Sequence, residues 1–246
     1  MISLLIVGFL GGFAGSMLGL GGGIIVVPVL SFLGFDIKTS VAMSIFSTIT
    51  VWSSASEKYL KENLVDFKMA VFLGSATSLG ANIGSRFLIY FPEKLIVLLF
   101  VPMALLVIYS NLVGFRRVGS GYVITLRRLT FSYIFMVLSG FVSAVLGIGA
   151  GILKVFAMDR ILNMPYKSST ATSAFLIGIT TSSSAFYYLR SINFDPSYAS
   201  MLSIGSLLGG FLGSRVMILL PERVLRTIFS LVVAFLVISL LIRTFK

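Results

Sequence analysis

Two glycine clusters within apolar stretches are the positions in this sequence best placed to bind a ligand through the backbone. Residues 19–23 read Gly-Leu-Gly-Gly-Gly, and residues 147–151 read Gly-Ile-Gly-Ala-Gly. Each glycine in a helix interior costs about 1 kcal/mol relative to alanine, so the clusters predict two interrupted helices. A helix that begins after such a break presents free N–H groups and a positive dipole end, which bind anions. The candidate anion-binding positions are Gly21, Gly22, Gly23, Gly149, Ala150 and Gly151.

Hydroxyl side chains crowd the segments that follow both glycine clusters. Hydroxyls donate hydrogen bonds to oxyanions without the cost of burying a charge. The same side chains can instead bond to the carbonyl of the preceding helical turn or to a neighbouring helix. Glycines can likewise serve close packing between helices. Both interpretations, a polar cavity and a packing role, therefore stay open. The residues singled out for binding are Ser44, Ser47, Thr172 and Ser173.

Three cationic side chains lie within or near the apolar segments. Lys154 follows Gly151 by three residues, and a lysine within a membrane costs about 2.5–3.5 kcal/mol and marks a functional site. It either pairs with an anionic substrate, or reaches an interface or Asp159. Arg86 and Arg215 both sit in Gly-Ser-Arg. They are candidates for substrate binding, as is Asn82 one turn before Arg86, although arginine at this depth also reaches the membrane surface.

The sequence lacks the residue types that most catalytic and metal-binding sites require. There are no cysteines and no histidines, and only Asp159 of the eight acids lies away from a segment boundary. These facts argue against a metal site, a haem, a Ser-His-Asp triad and a proton-relay carboxylate. We expect no enzyme activity, no metal and no cofactor. An anion path fits the side chains better than a cation path.

The composition indicates the class of protein and the kind of elements that hold these residues. The chain has 246 residues, of which 57% are hydrophobic and 11% charged, and its mean hydropathy is +1.06. Soluble domains carry roughly 25% charged residues. The prediction is an all-α, polytopic integral membrane protein of the cell membrane, with about eight transmembrane segments in the lipid bilayer. The net charge of +11 lies at segment ends, so nucleic acid is not an expected partner.

The two halves of the chain are an internal duplication. Gly21 and Gly149 are 128 positions apart, and an offset of 129 then relates Ser44 to Ser173 and Arg86 to Arg215. The predicted organisation is a first transmembrane repeat at 1–114, a basic connection at 115–129 and a second repeat at 130–246. Each repeat has four segments, and its first helix is either broken by the glycines or turns back as a re-entrant hairpin.

Basic residues predict the orientation of the chain. The connection at 115–129 holds four arginines and no acid, and the C-terminal residues Arg243 and Lys246 are also basic. Positive charge marks the cytoplasmic side, so four crossings per half and cytoplasmic termini are expected. An even number of crossings makes the repeats parallel and an odd number inverts them, and the sequence leaves this open. It also leaves open whether the chain forms a homodimer. The arginines in question are Arg116, Arg117, Arg127 and Arg128.

The glycine-rich motif resembles the first signature of the sulfite exporter TauE/SafE family. The signature covers Gly11 to Gly23, followed by Val27-Pro28, and Lys38-x-Ser40 and Gly80-x-x-x-Gly84-Ser85-Arg86 also fit the family pattern. The second half departs from it, with Ala150 at the middle position and Lys154-Val155 where Val-Pro is expected. The resemblance implies a membrane permease of two four-segment repeats that exports or takes up small sulfur-containing anions.

The functional expectation is a permease for sulfite or organosulfonates, bound near the midplane at the glycine breaks. Backbone N–H groups, the hydroxyls and Lys154 supply the binding contacts, and one repeat moves against the other during transport. The alternatives are an anion channel and a carrier of small carboxylates without sulfur. The transported anion, its direction and any coupling ion are not decided by the sequence.

Overall fold

The structure is a computed structural model that describes residues 1–113 and 125–219, with isolated positions at 227, 231, 234 and 238. These residues form helices joined by short turns, and they contain no strand. Arg116, Arg117, Arg243 and Lys246 lie outside the described residues, while Arg127 and Arg128 stand in the first turn of a helix. The elements are α1 (Ile2–Leu18), α2 (Gly23–Phe32), α3 (Ile37–Lys61), α4 (Phe67–Leu88), α5 (Glu93–Val113), α6 (Leu126–Leu146), α7 (Gly151–Phe156), a π-helical segment (Ala157–Ile161), α8 (Tyr166–Ser191) and α9 (Pro196–Leu219).

The glycine clusters end helices, as the sequence predicts. Gly19 and Gly147 follow α1 and α6 in the left-handed conformation, each with a φ of 66°. Glycine reaches this region without the strain that a Cβ causes, so it terminates a helix readily. At the other ends, the Asp36 and Asp66 side chains accept hydrogen bonds from backbone N–H groups in the first turns of α3 and α4. Aspartate is a preferred N-cap.

Both first helices turn back instead of continuing. A Cβ placed on Gly15 would overlap the backbone of Gly22, and one on Gly11 would contact Val26, so α2 runs back along α1. In the second half, Ser139 Oγ lies 3.5 Å from Ala150 O. Phe135 of α6 packs against Phe156 at the end of α7. Of the two arrangements left open by the sequence, the structure has the hairpin.

The hairpins are held in place by close contacts between parallel helices. On α1, Gly12 packs against the backbone of Ser206 on α9. On α6, Gly140 packs in the same way against Thr77 on α4. These are equivalent pairs of the duplication, and they are the small-residue contacts that bring helix backbones together. The hairpin of each half therefore packs on a helix of the other half.

The two halves begin at opposite ends of the helix bundle. At the first end, Lys38 Nζ donates to Ile89 O over 2.6 Å, and Phe35 packs on Tyr198. At the second end, Asp66 N donates to Thr172 Oγ1 over 3.0 Å. Because α1 runs parallel to α9 and α6 runs parallel to α4, Ile2 lies at the first end and Leu126 at the second. The first half thus has three traversing helices and a returning hairpin, whereas the sequence favoured four crossings.

The outer faces of the described helices are rich in exposed apolar side chains. Ile6, Leu10, Leu138 and Leu208 are each at least half exposed. Among the described residues one helix, Leu126–Leu146, has the length and apolar composition to cross a membrane, whereas the composition had suggested about eight segments. Hydroxyl residues lower the hydropathy of α3 and α8, and α1 and α2 are 17 and 10 residues long. Apolar side chains thus cover the outside of the described helices as well as filling most of the interior, where buried hydroxyls accompany them.

Candidate anion-binding site at the glycine crossing

The two glycine turns meet in the middle of the bundle, and we call residues 19–23 and 147–151 the glycine crossing. A Cβ added to Gly149 would lie 3.4 Å from Gly21 Cα. On Gly23 it would overlap Gly147 O, and on Gly151 it would overlap Gly19 O. The close approach of two backbones explains why glycine occupies these positions. Ala150 is the exception, with a φ of 45° that is strained for an L-residue.

Serine hydroxyls tie each half to the turn of the other. Ser44 Oγ donates to Gly147 O over 2.7 Å, and Ser173 Oγ lies 3.3 Å from Gly19 O. Ser173 Oγ also lies 3.1 Å from Gly151 O. The sequence pointed to these two serines as donors to a bound anion. In the structure their hydrogens point at backbone carbonyls, which the turns leave without a helical partner.

Backbone donors remain at the helix starts beside the crossing. Ile25 N donates to Gly22 O over 3.0 Å, which closes the first turn of α2. The N–H groups of Gly23 and Ile24 have no acceptor among the described residues. The first N–H groups of a helix have no partner within it, and together with the helix dipole they favour a negative charge nearby. The donor role of Gly23 stays a prediction, and its N–H group has no acceptor among the described residues that would compete with an anion.

Lys154 brings a buried amino group to the crossing. Its side chain has no exposed surface. Its Nζ donates to Gly149 O over 2.9 Å and to Thr180 Oγ1 over 2.8 Å. Both acceptors are neutral, and Asp159 lies instead 3.6 Å from Arg160 Nε. Neither the surface-reaching arrangement nor the Asp159 pairing considered from the sequence is present.

The crossing is closed in this conformation. A cavity of about 10 Å³ lies between Gly21, Thr48 and Trp52, and another of about 10 Å³ lies beside Ile24 and Ala150. Each has room for about one water molecule. A pyramidal anion such as sulfite needs more space than either, so binding requires the surrounding helices to separate.

Five of the singled-out side chains lie away from the crossing. Asn82 and Arg86 are exposed, and Asn82 donates to Ser78 O on its own helix. Arg215 is exposed and lies over the ring of Phe211, beside a groove of about 380 Å³ at the second end. Gly84 packs against α6 and Gly213 packs against α1, so Arg86 and Arg215 point away from these helix contacts. Ser47 bonds to Ser206, and Thr172 bonds to Asp66 at the second end.

Two buried tyrosines were not singled out from the sequence. Tyr59 Oη donates to Ser16 O over 2.6 Å, and Tyr188 Oη donates to Ala144 O over 2.7 Å. They are equivalent at the offset of 129, and each ties a traversing helix to the end of a hairpin. The recurrence of tyrosine at that offset is the sequence signal that marks them.

The indole of Trp52 was also not singled out. Its Nε1 is buried and has no hydrogen-bond partner among the described residues. No sequence pattern marks a donor that lacks an acceptor, because the missing partner is visible only in three dimensions.

Comparisons with known proteins give a consistent result. A family model described as "Sulfite exporter TauE/SafE" matches residues 4–240. The chain is 27% identical over 239 residues to the "Probable membrane transporter protein YunE" of Bacillus subtilis (strain 168), with 87% of this chain and 88% of that protein covered. It is 34% identical over 110 residues to "Sulfite exporter TauE/SafE family protein 3" of Arabidopsis thaliana, covering 41% of this chain and 23% of that protein. No solved structure matches it.

Proposed function

The chain belongs to the sulfite exporter TauE/SafE family, and on that premise we propose that it is a secondary transporter of small sulfur-containing anions such as sulfite or organosulfonates. The family match confirms the resemblance carried by the glycine-rich motif. It also makes the chain a membrane transporter of the TauE/SafE type. The anion and its site at the glycine crossing are the parts that we propose.

The observation that carries the proposal is the buried ammonium of Lys154 beside the crossing. Both of its described acceptors are neutral, so the amino group has no counter-ion among the described residues. A buried charge is costly unless it is paired, so an entering anion favours the protonated lysine by pairing with it. The anion also accepts from the N–H groups of Gly23 and Ile24. Gly21, Gly22, Gly149, Ala150 and Gly151 allow the backbones to approach closely enough to form the site.

The closed crossing favours a carrier over an open channel. Cavities of about 10 Å³ leave no continuous path for an anion. The two halves begin at opposite ends, so exchanging their conformations turns an opening at one end into an opening at the other. In this proposal, the bonds of Ser44 and Ser173 across the crossing break and reform as the repeats move.

The distribution of basic residues supports placing the second end in the cytoplasm. Among the described residues, the first end has Lys38, Arg86, Lys94 and Arg190. The second end has Lys58, Lys61, Lys68, Arg127, Arg128, Arg160, Lys167 and Arg215. The N-terminus then lies on the opposite side from the connection after α5, in contrast to the expectation that both termini are cytoplasmic. The protein is thus proposed to be a multi-pass protein of the cell membrane with inverted repeats.

Thermal stabilisation of the purified protein tests the substrate class. A ligand that binds only the folded state raises its stability by mass action. The panel contains sulfite, thiosulfate, sulfoacetate, taurine, sulfate, acetate and chloride. We expect stabilisation by sulfur oxyanions that is lost in Lys154→Met and kept in Lys167→Met, which makes the same change at an exposed position.

The other outcomes separate the parts of the proposal. Stabilisation by acetate alone would replace sulfur anions with carboxylates while keeping an anion carrier. Equal stabilisation of wild-type protein and Lys154→Met would overturn the assignment of the site. Stabilisation by no member of the panel would overturn the proposed substrate class.

A further inference from the structure

The hydroxyl groups around the glycine crossing have little capacity left to donate to a substrate. Each hydroxyl has one hydrogen. Ser44 and Thr48 direct theirs to carbonyl oxygens over 2.7–2.9 Å. Thr180 donates to Leu176 O over 2.6 Å, and Thr181 donates to Ile177 O over 2.8 Å. Side-chain donors for an anion must therefore come from groups whose hydrogen is still free, and Thr170 is one, since its buried hydroxyl beside Gly19 has no hydrogen-bond partner among the described residues.

Trp52 is such a donor, and it stands next to the crossing. Its indole lines the same cavity of about 10 Å³ as Gly21 and Thr48. One face packs against the backbone of Gly178, where a Cβ would overlap the ring, and the edge meets Phe175 at a centroid distance of 5.6 Å. These contacts hold the ring in one orientation. The buried Nε1–H nevertheless has no acceptor among the described residues.

The buried Nε1–H of Trp52 destabilises the fold as long as no ligand accepts a hydrogen bond from it. A buried polar group that loses its partner destabilises the fold, whereas a bond to a charged acceptor is among the stronger hydrogen bonds. The equivalent position in the second half is Thr181, whose hydrogen is already used within its helix. The two halves therefore differ at this pair of positions, where only the first half has a donor without an acceptor among the described residues.

We propose that the indole N–H of Trp52 is a substrate-binding donor that bonds to an oxygen of the oxyanion at the glycine crossing. This inference rests on the proposed function. An oxyanion carries several acceptor oxygens, so one can face Lys154 and the start of α2 while another faces Trp52. A halide has a single centre, so it cannot present separate acceptor atoms to Lys154 and to Trp52. The indole thus favours sulfur oxyanions over chloride.

The experiment combines fluorescence with a variant that removes only the N–H. Trp52 is the one tryptophan of the chain, so the intrinsic tryptophan emission of the wild-type protein reports on this site alone. We expect sulfite to change that emission saturably, and chloride to change it much less. Trp52→Phe keeps an aromatic ring, and we expect calorimetry to show sulfite affinity reduced about tenfold.

Thr181→Val is the matched control in the other half, because it removes a hydroxyl that already bonds within its helix. We expect its sulfite affinity to stay within about twofold of wild type. Unchanged affinity in Trp52→Phe would overturn the role of the indole and leave the proposed function standing. Absence of sulfite binding to the wild-type protein would overturn both. Without ligand, Trp52→Phe should unfold at no lower temperature than wild type, because it removes a buried donor that has no acceptor among the described residues, and this separates loss of binding from unfolding.

Discussion

At the scale of single residues, the serine bonds across the glycine crossing make a prediction about stability. Ser44→Ala removes the donor that Gly147 O receives over 2.7 Å. A buried carbonyl left without its partner costs about 1–3 kcal/mol, so unfolding in detergent should occur at a lower temperature. Ser53→Ala is the control, since this exposed serine on the same helix bonds only to Ile49 O. Equal effects of the two substitutions would contradict the account of the crossing.

Lys154 shows what residue types alone reveal about a site. A lysine within an apolar run is unusual enough to predict a function, and the structure places its ammonium beside the crossing. Arg86 and Arg215 gave a similar signal but face outward, because helix rotation decides the direction of a side chain. The sequence also could not show that the Ser44 hydroxyl points at a carbonyl. That depends on the partner half of the molecule.

At the scale of helices, the close approach of the two glycine turns predicts which glycines tolerate alanine. A Cβ on Gly23 would overlap Gly147 O, a backbone atom that cannot move without the whole turn. Gly23→Ala should therefore prevent the hairpins from meeting, and we expect little folded protein in size-exclusion chromatography.

Gly74→Ala provides the matched comparison for Gly23→Ala. The added Cβ would meet the end of the Ile179 side chain at 2.9 Å, and a flexible side chain can shift. We expect a folded protein with a melting temperature near that of wild type. A Gly23→Ala variant that folds equally well would show that the crossing is looser than described.

The start of α9 predicts a pH effect. Hydrogen bonds from the Ser197 backbone and hydroxyl lower the pKa of the Asp195 carboxyl from its usual value of 3.8. A lowered native pKa stabilises the fold above the unfolded pKa and loses that contribution as the pH falls through the native value. Asp195→Asn should therefore melt below wild type at pH 7, and the difference should shrink as the pH falls through the lowered native pKa of Asp195. A constant difference across this range would contradict the charge assignment.

Helix ends were predictable where one residue determines them, as at Gly19 and Gly147. The direction of the chain after these glycines was not. A glycine cluster permits both a broken helix and a hairpin, and the contacts of Gly15 with Gly22 decide in favour of the hairpin. That single turn changes the number of crossings from four to three.

At the scale of the whole molecule, the opposite orientation of the halves predicts which surfaces are reachable from each side of the membrane. The chain has no cysteines, so single cysteines can be introduced without background. Ser3→Cys near the start of α1 and Lys68→Cys at the second end replace exposed residues. We expect an impermeant maleimide to label Ser3→Cys on intact cells and Lys68→Cys only after lysis. Labelling of both only after lysis would place the start of α1 on the side of the second end and would contradict the inverted arrangement.

The duplicated positions make equivalent contacts in the structure, as in Tyr59 with Ser16 and Tyr188 with Ala144. Charge counting along the sequence favoured parallel repeats because it treated each hairpin as a crossing. The polarity of the repeats is a property of the assembled helices, so only the packing of α1 on α9 and of α4 on α6 could decide it.

Uptake of radiolabelled sulfite into proteoliposomes tests the central claim most directly, because it requires both the anion and its site. The account predicts saturable uptake by the wild-type protein, loss of uptake in Lys154→Met, and retention in Lys167→Met. Saturable uptake that Lys154→Met leaves at the wild-type rate would contradict the claim that the anion binds at the glycine crossing.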